Sequence, residues 1–257
     1  MSGNSDEGEL LSKVDSNEIE NFYNLLMGFP RRAGFLLSGI FLNIPVYRNF
    51  IVNQFHQLFY GSYTLDRPWT HVSWLGVPAS KSPLDLWVYQ EILNEVKPEK
   101  IIESGTSQGG TAYFLASICD CIGKGEVLSI DIQPPHNRPQ HLRTSYLHGS
   151  STDPSIVERV RSWTGSNNRV MVLLDSDHNR EHVLKELSIY SQFVTPGSYL
   201  IVEDTNLNGH PVWPGFGPGP MEAVKEFLRH SNEFLPDRNR EKFYFTFNPS
   251  GFLKRVK

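Results

Sequence analysis

The sequence of 257 residues has little cysteine, no long uninterrupted apolar run and no basic stripe, and each shortage removes a class of function. Its two thiols are Cys119 and Cys121. Two positions apart, they would leave a helix in different directions, which argues against a disulfide or thiolate metal site and for core thiols in a reducing compartment. The most lipid-like stretch, AGFLLSGIFLNIPV from Ala33, is interrupted by Gly, Asn and Pro. It falls short of the ~20 residues that span a bilayer. The first twenty residues are acidic instead of basic-then-apolar, with Asp6, Glu7, Glu9, Asp15, Glu18 and Glu20 set against Lys13 alone. That pattern argues against a secretory signal, and the expected compartment is the cytoplasm. A net charge of −4 with no cluster of Lys and Arg also argues against a nucleic-acid partner, whose affinity would come from neutralised phosphates.

What is present is the composition of a folded enzyme, 39% hydrophobic and 12% aromatic. A chain this long buries enough surface to stand without disulfides or a structural metal. Residues 1–20 read as a flexible acidic tail. Residues 21–82 read as an N-terminal helical appendage (FYNLLMGF, FLLSGIF, VNQFHQLFYG) followed by a Pro/Gly-punctuated linker, WTHVSWLGVPASKSP. The apolar content of the appendage calls for cover by the main domain, a substrate channel or a second subunit, so a homo-oligomer, dimer or larger, is expected.

From residue 83 to 257 helical and strand periodicities alternate. LDLWVYQEILNEV, TAYFLASICDCI, DPSIVERVRSW, REHVLKELSIYSQF and MEAVKEFLRH carry helical spacing, and KIIES, GEVLSID, TSYLHGSS, RVMVLLDSDH and SYLIVEDT read as strands. KFYFTFN and GFLKRV, joined by PSG, read as a closing antiparallel hairpin. The fold class is therefore α/β, a Rossmann-like seven-stranded sheet, parallel apart from its C-terminal hairpin.

Ligands of such sheets sit beyond the carboxyl ends of the strands. The first strand closes on Glu103, Gly105, Thr106, Ser107, Gln108, Gly109 and Gly110, where glycines admit a close ligand and the next helix offers free N–H groups. This is not the GxGxxG dinucleotide pattern. Glu103 would repel a pyrophosphate but suits the ammonium and sulfonium of S-adenosylmethionine. A plain strand-to-helix turn is the alternative. Asp131, closing the second strand, can accept from both ribose hydroxyls.

Asp175-Ser176-Asp177-His178 and Glu203-Asp204-Thr205-Asn206 close two further strands on the same rim. Clustered carboxylates repel unless a cation lies among them, and oxygen ligands favour Mg²⁺; the expected set is Asp175, Glu203 and Asp204, with Asp177 in reserve. Both Glu203 and Asp204 can ligate only if the strand has ended before them. His178 is placed to act as general base on a hydroxyl, or else Asp177 and His178 merely open a helix. The following loop, with Asn206, Asn208, His210, Trp213 and Phe216, offers aromatic planes and amide donors suited to a sugar, or a rigid cover. Asn206, His210 and Trp213 are the acceptor candidates.

WLGVPASKSPLDLWVYQEIL, IIESGTSQGGTAYF, GSSTDPSIVE, LLDSDHNREHVL, YLIVEDTNLNGHPVWPGFGPGPMEAV and NPSGFL together resemble the cephalosporin hydroxylase/rhamnosyl O-methyltransferase family, over about residues 70–257. The VEDTNLNGHP…GFGPGP stretch is similar to mycobacterial-type members. The resemblance implies a class I methyltransferase fold, S-adenosylmethionine and Mg²⁺ as cofactors, and O-methylation of a hexose or deoxyhexose, such as a rhamnoside or methylated mannoside of a glycolipid or polysaccharide. It also implies that Ser150 and Ser151 lie beside the adenine and that Asp175 borders the cofactor. ESGT stands where relatives often read ETGT or EFGT. An iron hydroxylase would need two His and one carboxylate, which this rim does not display. A cofactor-binding scaffold without turnover is the remaining rival.

Overall fold

The structure, a computed structural model, describes residues 39, 42–61, 66–134 and 136–257. The acidic tail and most of the first two apolar stretches of the appendage lie outside the described residues. The chain divides into two units between Val52 and Asn53. Residues 53–82, expected within the appendage, thus belong to the larger unit. The cause is an aromatic cluster in which Tyr60, Phe59 and Trp69 pack with Phe245, Phe247 and Trp213.

In chain order the described elements begin with α1 (Pro45–Tyr60) and a two-stranded ribbon of β1 (Ser73–Trp74) and β2 (Val77–Pro78). Next come α2 (Pro83–Val96), β3 (Lys100–Ser104), α3 (Gly110–Ile122), β4 (Glu126–Asp131), β5 (Thr144–His148), α4 (Pro154–Thr164) and β6 (Val170–Leu174). α5 (Arg180–Tyr190), β7 (Tyr199–Val202), α6 (Pro220–His230), β8 (Phe234–Pro236) and β9 (Phe252–Arg255) complete the chain. The main sheet runs β5-β4-β3-β6-β7-β9-β8, with β9 antiparallel to both neighbours. The helical segments read from the sequence form α2 to α6 within a few residues.

The central strands are buried on both faces, as parallel strands covered by crossover helices must be. Ile102, Val172, Leu174, Leu200 and Val202 pack against α4, α5 and α6. Ile101, Met171, Leu173, Tyr199 and Ile201 pack against α2 and α3. Strand parity therefore assigns the side chain after each strand to a definite side of the sheet. Asp175 and Glu203 continue the row facing α2.

Two expectations need correction. The antiparallel C-terminal pair exists, but β9 pairs with Phe234–Pro236 and not with KFYFTFN. Phe245 to Asn248 are buried consecutively, without strand alternation, because side chains hold them: the Phe247 N–H and Thr246 hydroxyl both donate to the buried carboxylate of Asp85 on α2. Cys119 is a core thiol, whereas Cys121 is exposed at the end of α3. No described helix is long and apolar enough to cross a membrane.

Candidate active site

The chain order of the strands reverses direction between β3 and β6, and the loops leaving these strands part there. Gly105 makes the parting possible. Its φ is +85°, and a Cβ in its place would lie 1.9 Å from the carbonyl oxygen of Asp175. Two cavities open at this point and share Gly105, Ser107 and Asp175 as a common wall.

The first cavity, about 450 Å³, runs along the ends of β3, β4 and β5. Of the expected cofactor residues, Gly105, Ser107, Asp131, Ser150, Ser151 and Asp175 line it. Asp131 is fixed at the wall: its carboxylate accepts from the Ser107 and Gln133 N–H groups, each at 2.8 Å, and pairs with Arg138 at 3.1 Å. Three expected residues lie elsewhere. Glu103 is buried under the turn, where the Ser129 hydroxyl donates to it, and burial pushes its carboxyl up to about 8. Thr106 shares a 2.6 Å hydrogen bond with Ser129 and lines the second cavity. Gly109, which precedes α3 with φ +86°, packs against Pro139 and Tyr146. His182 joins the wall unannounced by any sequence signal, beside Ser176 and the fully buried Glu186.

The second cavity, about 370 Å³, is walled by Tyr60, Trp69, Trp213 and Arg67 on one side and by Asp175, His178 and Asp204 on the other. Tyr60 stacks on Trp69, Trp213 meets Tyr60 edge-on, and Arg67 lies 5.3 Å from the Trp213 ring centre. Trp213 is therefore placed at the cavity. Asn206 is fully buried outside its lining, and His210 is turned away into a 2.8 Å contact with Glu222, which also accepts from the Gly219 N–H at the start of α6. In this structure His210 ties the loop to Glu222 and is not among the residues lining the second cavity.

Between the cavities lies the acid rim. β7 ends at Val202; Glu203 still follows Tyr199 and Ile201 toward α2, and it is Asp204 that departs from the alternation. Asp204 adopts φ +53°, which swings its carboxylate to the same side as Asp175. His178 Nε2 stands 3.4 Å from carboxylate oxygens of both Asp175 and Asp204. Among the described residues, Asp175, His178 and Asp204 bring ligand atoms within 4.8 Å of one another. Glu203 is drawn instead to Lys81, whose Nζ is 2.5 Å from Glu203 Oε2 and also contacts Asp175 Oδ2. Asp177, the reserve ligand, accepts from the Asn179 N–H at the entry to α5.

The rim's charges follow from this packing. Burial opposes ionisation of Asp175, but Lys81 and His178 outweigh it and hold the carboxyl below its usual value. Burial pushes Glu203 well above its usual value despite Lys81, and lifts Asp204 despite His178. Burial also disfavours a charged His178, yet Asp204 and Asp175 prevail and raise it to about 9.

The rim fits an oxygen-preferring divalent cation. Asp175 and Asp204 converge, and Glu203 Oε1 is a buried acceptor with no hydrogen-bond partner among the described residues. One His with several carboxylates is the reverse of an iron facial triad.

The sheet order, with antiparallel β9 and a cavity at the switch point, is that of the class I methyltransferase fold. The chain belongs to the rhamnosyl O-methyltransferase/CmcI family, whose model matches residues 66–256. It is 39% identical over 212 residues to a rhamnosyl O-methyltransferase of Mycobacterium tuberculosis, covering 80% of this chain and 85% of that one. It is 39% identical over 214 residues to that of Mycobacterium leprae, covering 80% and 90% respectively. Among solved structures, a CmcI structure in its Mg-SAM form superposes with a TM-score of 0.57 at 21% identity, over 73% of this chain and 78% of that one. An apo CmcI structure gives 0.58 at 20% identity, over 73% and 77%.

Proposed function

We propose that this chain transfers the methyl group of S-adenosylmethionine to a hydroxyl of a hexose or deoxyhexose, with Mg²⁺ on the acid rim, the acceptor being a rhamnoside or methylated mannoside of a glycolipid or polysaccharide. The observation that carries the reading is the shared wall: one cavity lined by Gly105, Asp131, Ser150 and Ser151, one walled by aromatics, and the acid rim with His178 between them. The names of the mycobacterial relatives point to rhamnosyl acceptors.

In this reading Asp131 accepts from the ribose hydroxyls, Gly105 and Ser107 border the methionine portion, and Ser150 and Ser151 border the adenine. Asp175, Asp204 and the free oxygen of Glu203 hold the cation. When bound, the two cofactors supply an electrophilic methyl on a sulfonium and a Lewis acid that acidifies the acceptor hydroxyl. Trp69, Trp213 and Tyr60, which line the second cavity with His178, would hold the sugar ring with a hydroxyl toward His178. With Asp175 and Asp204 committed to the cation, they no longer hold a proton on His178. Its Nε2 can then take the hydroxyl proton as the C–O bond forms and the methyl–sulfur bond breaks, the electron pair staying on sulfur to leave S-adenosylhomocysteine. Asp175 and Asp204, each 3.4 Å from that same nitrogen, aim it toward the rim.

The test is a panel of short rhamnosides and mannosides incubated with S-adenosylmethionine and read by product mass. A methylated product that disappears in EDTA and returns with Mg²⁺ is expected. Full turnover in chelator removes the metal from the reading, and no methylated saccharide removes the acceptor class.

A further inference from the structure

Lys81 is the most deeply buried cation of the rim, 5% exposed, and no step above uses it. It stands just before α2, whose cap is Ser82 and whose first residue is Pro83. A cation is unfavourable at the positive end of a helix dipole, so its partners must hold it there. Those partners are Asp175 Oδ2 and Glu203 Oε2, which strand parity directs toward α2. One oxygen of each carboxylate is thereby taken. The other oxygen of each is left over: Asp175 Oδ1 faces His178 Nε2, and Glu203 Oε1 is buried with no partner among the described residues.

We propose that Lys81 is a positioning residue for the divalent cation: it grips the rear oxygens of Asp175 and Glu203 so that their front oxygens, with Asp204, form the ligand set. This rests on the metal reading given above. Charge agrees with it for the loaded site: once a bound cation keeps all three acids ionised and His178 has given up its proton, three carboxylates, one ammonium and one divalent cation sum to zero. A buried site without Lys81 would carry a net negative charge, which a low-dielectric interior disfavours. Outer partners that orient metal ligands typically govern affinity by about 10–100-fold. The approach of Lys81 to the rim is itself built into the fold. The backbone of Pro78 and Ala79 passes so close to α3 that a Cβ at Gly110 would lie 2.1 Å from the Pro78 carbonyl oxygen.

The experiment is Mn²⁺ binding to the full chain, followed by electron paramagnetic resonance with no methyl donor present. Lys81→Met keeps length and volume without charge, and Lys81→Arg keeps the charge. Weakening by about 10–100-fold in Lys81→Met, with partial recovery in Lys81→Arg, is expected. A second measurement needs no variant: acetylation of Lys81 in the native chain, read by peptide mass, should stay low with saturating Mn²⁺. Unchanged or tighter binding by Lys81→Met, or metal-induced acetylation of Lys81, overturns the proposal and leaves the metal reading intact, because either result makes Lys81 a competitor or a bystander. Failure of the native chain to bind Mn²⁺ overturns both.

Discussion

His178 concentrates the chemistry in one side chain, and its surroundings set how it depends on pH. The Asp204 and Asp175 carboxylates raise its folded value from 6.5 to about 9. A basic group held above its unfolded value stabilises the fold fully below the unfolded value and ceases to do so as pH rises through the folded one. In EDTA, the melting advantage of the native chain over His178→Ala should therefore be largest near pH 6 and shrink as pH climbs through about 9. A difference that grows over that range would contradict the ion-pair geometry. The same variant should slow methyl transfer by about 10²–10⁴-fold, the span general bases contribute. Its affinity for S-adenosylhomocysteine, measured by calorimetry, should hold, because His178 lines only the second cavity. His178 and the acids around it were legible in the sequence because polar residues closing apolar strands have few structural uses. Lys81 was not: its partners are Asp175 and Glu203, far along the chain, and its one local sign was a lone cation at the wrong end of a helix.

At the scale of elements, most boundaries were visible because the alternation of strand and helix periods has the same origin as the two buried faces of the sheet. The KFYFTFN segment defeated that reasoning. Its alternating aromatics imitate a strand, but Phe245 and Phe247 fill the aromatic cluster while Asp85 satisfies the backbone a ladder would have satisfied. The three-residue β8 was invisible because so short a run carries no period. Gly110 shows how an element boundary serves the site. Alanine in place of glycine in a helix ordinarily stabilises by up to about 1 kcal/mol. Here the added methyl would meet backbone of Pro78 and Ala79, at 2.1 to 2.7 Å, with no flexible side chain to yield. Gly110→Ala should therefore destabilise by about 1–3 kcal/mol, seen as a lower urea midpoint with an unchanged slope. A raised midpoint would mean that the β2–α2 segment is free to move away, and with it the wall that carries Ser80 and Lys81.

Across the whole molecule, the two cavities receive their walls from different stretches of the chain, which separates donor from acceptor recognition. The first is built by loops after β3, β4, β5 and β6. The second draws Tyr60, Arg67 and Trp69 from ahead of the sheet and Trp213 from the loop before α6. This division was only half readable: the sheet's edge announced the cofactor side, while nothing in the spacing of Tyr60 and Trp69 disclosed that the Trp213 loop would fold against them. It also distributes tryptophan unevenly. Trp69 and Trp213 line the second cavity, and none of the chain's five tryptophans lines the first. Sugar rings present C–H faces that pack on indole planes, so an accepted saccharide should change the intrinsic emission, whereas S-adenosylhomocysteine alone should leave it nearly unchanged. Trp213→Phe should abolish the larger part of the saccharide response while preserving cofactor affinity, because Trp213 touches only the acceptor side. If S-adenosylhomocysteine by itself produced the full change, or if Trp213→Phe kept it, the acceptor would have to enter by another route than the aromatic wall.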